Sequence, residues 1–173
     1  AKSVIDVAFD ISEGLARAAC AGEVDGEVVD LRTVLDKDCE LNILTARDEK
    51  GLAVLRHTAS HVMAEAVQTL FPEAKVAIGP SIDTGFYYDF ECQSFSRDDL
   101  DAIEKEMKKI IKKGAKIERF TKSREDAIAF FKEKNEPYKV ELIEDLPEGE
   151  EISFYSQGDW VDLCAGPHLM STK

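Results

Sequence analysis

Apolar residues recur at helical spacing most clearly across residues 47–71. Leu55, Ala59, Val62, Met63, Ala66 and Leu70 form one stripe, ending near Phe71-Pro72, and predict a long helix. At about 100° per residue, His57 and His61 fall almost opposite that stripe, beside Ala64 and Gln68. They face either solvent or a cleft built by the rest of the chain. A charged amphipathic helix is predicted over 97–114, with Ile103, Met107, Ile110 and Ile111 on its buried side. "AKIERF" reads as a strand, "REDAIAFFKEK" and "YKVELIED" as helices. "EISFYSQGDWVDLC" reads as a hairpin around Gln157-Gly158 that carries Cys164 to a strand end.

Ahead of the long helix, residues 1–46 predict a small α+β unit. Ser3 and Ser12 are placed to cap two short helices, because a serine oxygen accepts from the free N–H groups of a first turn. Asp25-Gly26 between short apolar runs marks a hairpin, and "CELNILTA" alternates as a closing strand. Forty-six residues make a thin core, so this unit is expected to be incomplete or to lean on the remainder of the chain. Two strand-like stretches surround Gly79-Pro80 and Gly85. No repeat is visible, and the pattern is α+β, mixed rather than regularly alternating.

Composition narrows the classes. With 44% hydrophobic and 33% charged residues in 173, the chain is a globular one. No apolar run approaches the roughly 18 residues of a membrane span, and no signal-peptide pattern opens it. Cys20, Cys39, Cys92 and Cys164 are scattered, which suits free thiols in a reducing cytoplasm. A net charge of −13 argues against a general nucleic-acid binder. It leaves open a domain that handles one end of an RNA presented by a neighbour. The lysines of "KEMKKIIKKGAK" read as a solvated helix face, or as a phosphate contact. The start at Ala1 and the stop shortly after His168 suggest a fragment.

The chemistry concentrates in few residues. All three histidines belong to pairs spaced i,i+4: His57 with His61, and His168 with Cys164 in "VDLCAGPHL". Two histidines so spaced on a helix project side by side and can grip one metal ion or one polar substrate. Pro167 bars a regular helix from Cys164 to His168, so that pair sits on a loop. One thiolate and three imidazoles suit tetrahedral zinc; with one position left to water, they suit a catalytic site. If the pairs do not meet, the histidines are surface polar residues and Cys164 is inert. HExxH is absent, since Thr58, Ala59 and Ser60 separate the histidines, and no phosphate-binding glycine loop is present. On a strand Asp162 points to the same side as Cys164, where it can orient a histidine or a water.

The ordered segments "RHTASHVMAEAVQTLFPEAKVAIGPSIDTGFYYDF", "YKVELI" and "DLCAGPH" closely resemble the N-terminal region of bacterial-type threonyl-tRNA synthetases. The resemblance covers essentially the whole chain. It implies a TGS-like, β-grasp unit over 1–46 without its first strands, and an editing domain over 47–173. It implies that serine wrongly esterified to threonine tRNA is hydrolysed here, because one missing methyl supplies only about 1–3 kcal/mol of discrimination. The editing residues it maps are His57, His61, Lys139, Asp162, Cys164 and His168, with Tyr88, Gly79 and Pro80 as substrate-binding positions. Where the family usually has arginine this chain has Ala165.

The seryl ester is then expected in a cleft between the 57–61 helix face and the 164–168 loop. A water held by histidine and by Lys139 or Asp162 attacks the carbonyl, and Cys164 serves as a pocket or proton-handling residue rather than a nucleophile. The resemblance implies editing without metal. Were zinc bound, His57, His61, Cys164 and His168 would be its ligands; ATP and the synthetase's own zinc belong to an aminoacylation core outside this sequence. The implied partners are the acceptor end of threonine tRNA and the rest of a homodimeric synthetase in the cytoplasm, with no membrane. Two rivals stand beside it: a zinc-dependent relative of the alanyl-tRNA trans-editing proteins, and a non-catalytic RNA- or partner-binding module.

Overall fold

Four serines start four of the helices. Ser3 and Ser12 accept from the backbone of Asp6 and Leu15 and open α1 (Val4–Ile11) and α2 (Glu13–Ala18). A computed structural model describes all 173 residues. Around these helices β1 (Lys2–Ser3) pairs with β4 (Val34–Leu35), and β2 (Ala19–Val24) lies between β3 (Glu27–Val29) and β5 (Leu41–Thr45), all antiparallel. The β2–β3 turn holds Asp25 at φ +49° and Gly26 at φ +86°, the left-handed pair that a tight hairpin demands.

Next comes α3 (Glu49–Leu70), the helix the periodicity predicts. Its start lies on β5 so closely that a Cβ on Gly51 would sit 2.0 Å from the Thr45 carbonyl oxygen. One expectation fails here. The stripe's ends, Leu55 and Leu70, are exposed, whereas Thr58, Ser60, His61 and Ala64 on other faces are buried. The helix is central and covered on several sides, so a single-stripe reading undercounts what it buries.

Beyond α3 runs a strap, built from β6 (Lys75–Val76) paired with β9 (Phe90–Glu91) and, nested inside, β7 (Ser81–Ile82) paired with β8 (Gly85–Phe86). Ser60 Oγ contacts the carbonyls of His57 at 2.6 Å and Gly79 at 2.9 Å, tying the strap to α3. Capped by Ser96, α4 (Arg97–Lys113) packs on α3 through Ile103 and Ile110, with Met107 partly buried. Ile111, expected on the buried side, is 44% exposed. The lysines of its last turns lie on the outer side, and Gly114 ends the helix at φ +63°.

The last layer is the antiparallel sheet of β10 (Ile117–Lys122), β11 (Ile152–Gln157) and β12 (Trp160–Leu163), in that order. Ser123-capped α5 (Arg124–Glu133) and α6 (Pro137–Asp145) cover one face, burying Phe131, Ile143 and Phe154. The hairpin turn is Gly158-Asp159, one step beyond the expected place, with Gly158 at φ +59°. Residues 164–173 then run back across the molecule: Ile117 N–H donates to the Met170 carbonyl and Thr172 N–H to that of Ala115. Met170 packs on the Val4/Ala8/Leu31 core and Leu169 on the Cys20/Leu44/Val54 cluster. The first unit therefore leans on the chain's last residues, which complete its thin core. No helix is long and apolar enough to cross a membrane.

Candidate functional site

The two pairs spaced i,i+4 meet. The donor atoms of His57, His61, Cys164 and His168 all lie within 4.8 Å of one another. Cys164 Sγ is 3.4 Å from His57 Nε2 and 3.2 Å from His168 Nε2. The His168 ring packs between the other two imidazoles, with centroids 4.2 Å from each. Because β12 ends at Leu163, Cys164 leaves the sheet at the right place to turn inward, and Gly166 N–H donates to its sulfur at 3.3 Å.

A charged group adjoins this cluster. Asp162, fully buried on β12, accepts from Lys139 Nζ at 2.8 Å, from the Tyr88 hydroxyl at 2.6 Å and from the Leu163 N–H at 2.8 Å. His61 Nε2 lies 3.5 Å from its Oδ2, and Lys139 Nζ also donates to Tyr88 Oη at 3.0 Å. Lys139 comes from α6 and Tyr88 from the strap, so the group is built from three elements. Gly79 lies against Tyr88, where any Cβ would meet the ring at 2.1 Å. His57, His61, Gly79, Pro80, Lys139, Asp162 and Cys164 all line one cleft of about 330 Å³, within the usual range for a small-molecule site. His168 and Tyr88 stand behind that lining, while Ala165 is exposed at its edge.

Burial sets the protonation states. It lowers all three imidazoles: His61 to about 4, His168 well below the ordinary 6.5, and His57 against the opposing Pro167 carbonyl and Asp162. Burial also pushes the Cys164 thiol up to about 12. For Asp162 burial acts upward, but Lys139, His61 and the hydrogen bonds outweigh it and hold the carboxyl below its usual 3.8. At neutral pH the site thus offers neutral imidazoles, a protonated thiol and one anion–cation pair.

These states make stability depend on pH. The unfolded chain binds protons at its histidines near 6.5, which the folded chain refuses until lower pH. Stability is therefore present above that value and is lost as pH falls from about 6.5 towards 4, by up to about 1.4 kcal/mol per pH unit for each histidine involved. Urea titrations of chelator-treated protein between pH 7.5 and 4.5 measure it; a flat midpoint across that window contradicts it.

Zinc also fits the donor set. Two imidazole nitrogens stand at tetrahedral-edge distance from a sulfur, and Asp162 and Thr58 stand behind His61 and His168 as outer partners. A bound cation would draw the thiol proton off Cys164. Thr58, which the sequence marks only as a residue that is not glutamate, proves to be part of the site. Its Oγ1 is 2.9 Å from His168 Nδ1 and accepts the Leu169 N–H at 3.1 Å. Buried Ser60, between the same histidines, is a second residue that periodicity passes over; small hydroxyl residues on a helix face shared with histidines are the available signal.

Known proteins are similar to this chain over nearly its whole length. The TGS domain model matches residues 1–45, and the model described as "Threonyl and Alanyl tRNA synthetase second additional domain" matches 152–173. Over 171 residues the chain is 63% identical to the threonine–tRNA ligase of Acetivibrio thermocellus and 57% identical to that of Caldanaerobacter subterraneus subsp. tengcongensis. Over 170 residues it is 61% identical to that of Clostridium botulinum (strain Hall). Each match covers 98% of this chain and 27% of the relative, so the chain spans about a quarter of the length of the curated relatives it matches.

Proposed function

We propose that this chain, homologous along its length to threonine–tRNA ligases, is the proofreading part of such an enzyme and hydrolyses serine from threonine tRNA. The observation that carries this reading is the shared cleft: neutral imidazoles and the Lys139–Asp162 pair open on one space. The domain boundary near residue 46, the site assignment and the cytoplasmic location belong to the same proposal.

In this reading a water hydrogen-bonded to His57 attacks the ester carbonyl carbon. The imidazole takes a water proton, and Lys139 stabilises the charge that develops on the carbonyl oxygen. Collapse breaks the bond to the ribose oxygen, which leaves with the proton, giving free serine and tRNA. The Cys164 thiol, held protonated by burial, shapes the cleft and does not act as nucleophile. Threonine is excluded by its extra methyl. The acceptor end reaches the cleft as part of a tRNA held elsewhere, since a net charge of −13 gives this chain little hold on phosphates.

The four-donor cluster supports a second reading, a zinc-assisted hydrolase in which the metal would polarise the ester or the water. Deacylation of seryl- and threonyl-tRNA with and without a chelator separates the two. We expect selective loss of serine, insensitive to chelation, level as pH falls from 8 to below the ordinary histidine value, and lowered about 10²–10⁴-fold in His57→Ala. Activity lost on chelation and restored by zinc sinks the metal-free reading. No hydrolysis by the native chain under any condition sinks both.

A further inference from the structure

The His168 loop is held at its main chain by two side chains from the far end of the sequence. Asp30 Oδ2 accepts the His168 N–H at 3.1 Å, while Arg32 donates to the His168 carbonyl at 3.3 Å and to that of Leu169 at 2.8 Å. The same guanidinium donates to the Ile117 carbonyl at 2.6 Å and forms a half-buried ion pair with Asp30, at 2.9 Å. Tyr155 closes the group: its hydroxyl donates to Asp30 Oδ2 at 2.6 Å and its ring lies under Arg32. Neither Asp30 nor Arg32 lines the cleft.

We infer that Asp30 and Arg32 are positioning residues for the candidate site, acting through the backbone of residues 168 and 169 to hold the His168 ring against Cys164. The inference rests on the proposed hydrolysis for its kinetic consequence, though not for its geometry. With the N–H and C=O of one residue both fixed, the ring keeps only its side-chain torsions, and Thr58 fixes those through Nδ1. Three carbonyls and a carboxylate converge on one planar fork, a task that lysine's single ammonium does not reproduce. Simple adhesion between the first unit and the rest needs no such convergence on residue 168, since Met170 and Leu169 already supply apolar contact. The first unit is thereby a working part of the site and not only its neighbour.

The test uses the full chain with Arg32→Met, Arg32→Lys and Asp30→Asn, each checked for folding by thermal unfolding. Two readouts are taken: kcat and KM for seryl-ester hydrolysis, and the ring-nitrogen resonances of the three histidines. We expect kcat to fall about tenfold or more in Arg32→Met with KM within about twofold, because the cleft wall is intact while the cluster is misplaced. Arg32→Lys falls between it and the native chain. The His168 ring signals move in all three variants. Folded variants whose His168 signals coincide with the native ones overturn the inference, whatever the kinetics. A rise in KM with kcat unchanged also overturns it, since that marks a binding role. If Arg32→Met does not fold, Asp30→Asn and Arg32→Lys decide by the same criteria. If the native chain hydrolyses nothing, the proposed function fails and the resonances still decide this point.

Discussion

Lys139→Met is expected to abolish seryl-ester hydrolysis and to destabilise the fold by about 3–5 kcal/mol, the usual result of removing one partner from a buried ion pair. Asp162 then keeps the Tyr88 hydroxyl and the Leu163 N–H but loses its only cationic partner at 2.8 Å. The pH dependence reverses with it. In the native chain the Asp162 carboxyl is held below 3.8, so its contribution is present above that value and is lost as pH falls through its lower folded value. Without the ammonium, burial is opposed only by His61 and the remaining hydrogen bonds, and the folded value is expected to rise above 3.8. The ionised carboxyl then costs stability at neutral pH, and the deficit relative to the native chain narrows in acid. Combining Lys139→Met with Asp162→Asn should restore most of the stability and none of the activity, because an amide can still satisfy Tyr88 and Leu163. Denaturant midpoints for the cycle, with deacylation rates beside them, measure both effects. Equal stability of the single variant and the native chain at pH 7 refutes this account of the pair.

Gly166→Ala is the second large effect. Gly166 sits at φ +78°, where a side chain costs about 1–2 kcal/mol. A Cβ there would also meet the Tyr155 hydroxyl at 2.1 Å, and overpacking adds about 1–3 kcal/mol. That hydroxyl is not free to move away, because it donates to Asp30. The loop must shift instead, taking Cys164 and His168 with it, and a displacement near 1 Å lowers a positioned reaction about 10²-fold. A variant at the exposed neighbour Ala165 provides the control, with no strain expected. Native-like hydrolysis in Gly166→Ala would mean that the loop geometry does not matter to the reaction.

Much of this was legible in the sequence because local rules govern it. Serine caps, the Asp25-Gly26 turn and the period of residues 49–70 are decided within a few residues, and the structure keeps them. Counting histidines singled out the two pairs spaced i,i+4, and only the structure shows that they meet. What stayed hidden depends on distant partners. Lys139 is one of many charged residues until α6 lays it on Asp162, and only the family resemblance drew it out. Leu55 and Ile111 look like core on a helical wheel, yet they stay 36% and 44% exposed, whereas Thr58 and Ser60 look like surface and are buried. Nothing local marks Asp30 and Arg32 for the site, since their partners on the His168 loop lie 136 to 138 positions away.

That long span bears on how the molecule is made. A chain leaves the ribosome from its N-terminus, so Asp30 and Arg32 appear early and face solvent while nearly all the rest is still to come. Local pieces such as the capped helices can form as they emerge, but the span from Asp30 to His168 closes only once residue 168 is out. Any nascent chain that stops before His168 therefore lacks both the carbonyls of residues 168 and 169 that Arg32 grips and the histidine they aim. The candidate site is therefore completed only when residues 164–169 emerge, and not by degrees along the chain.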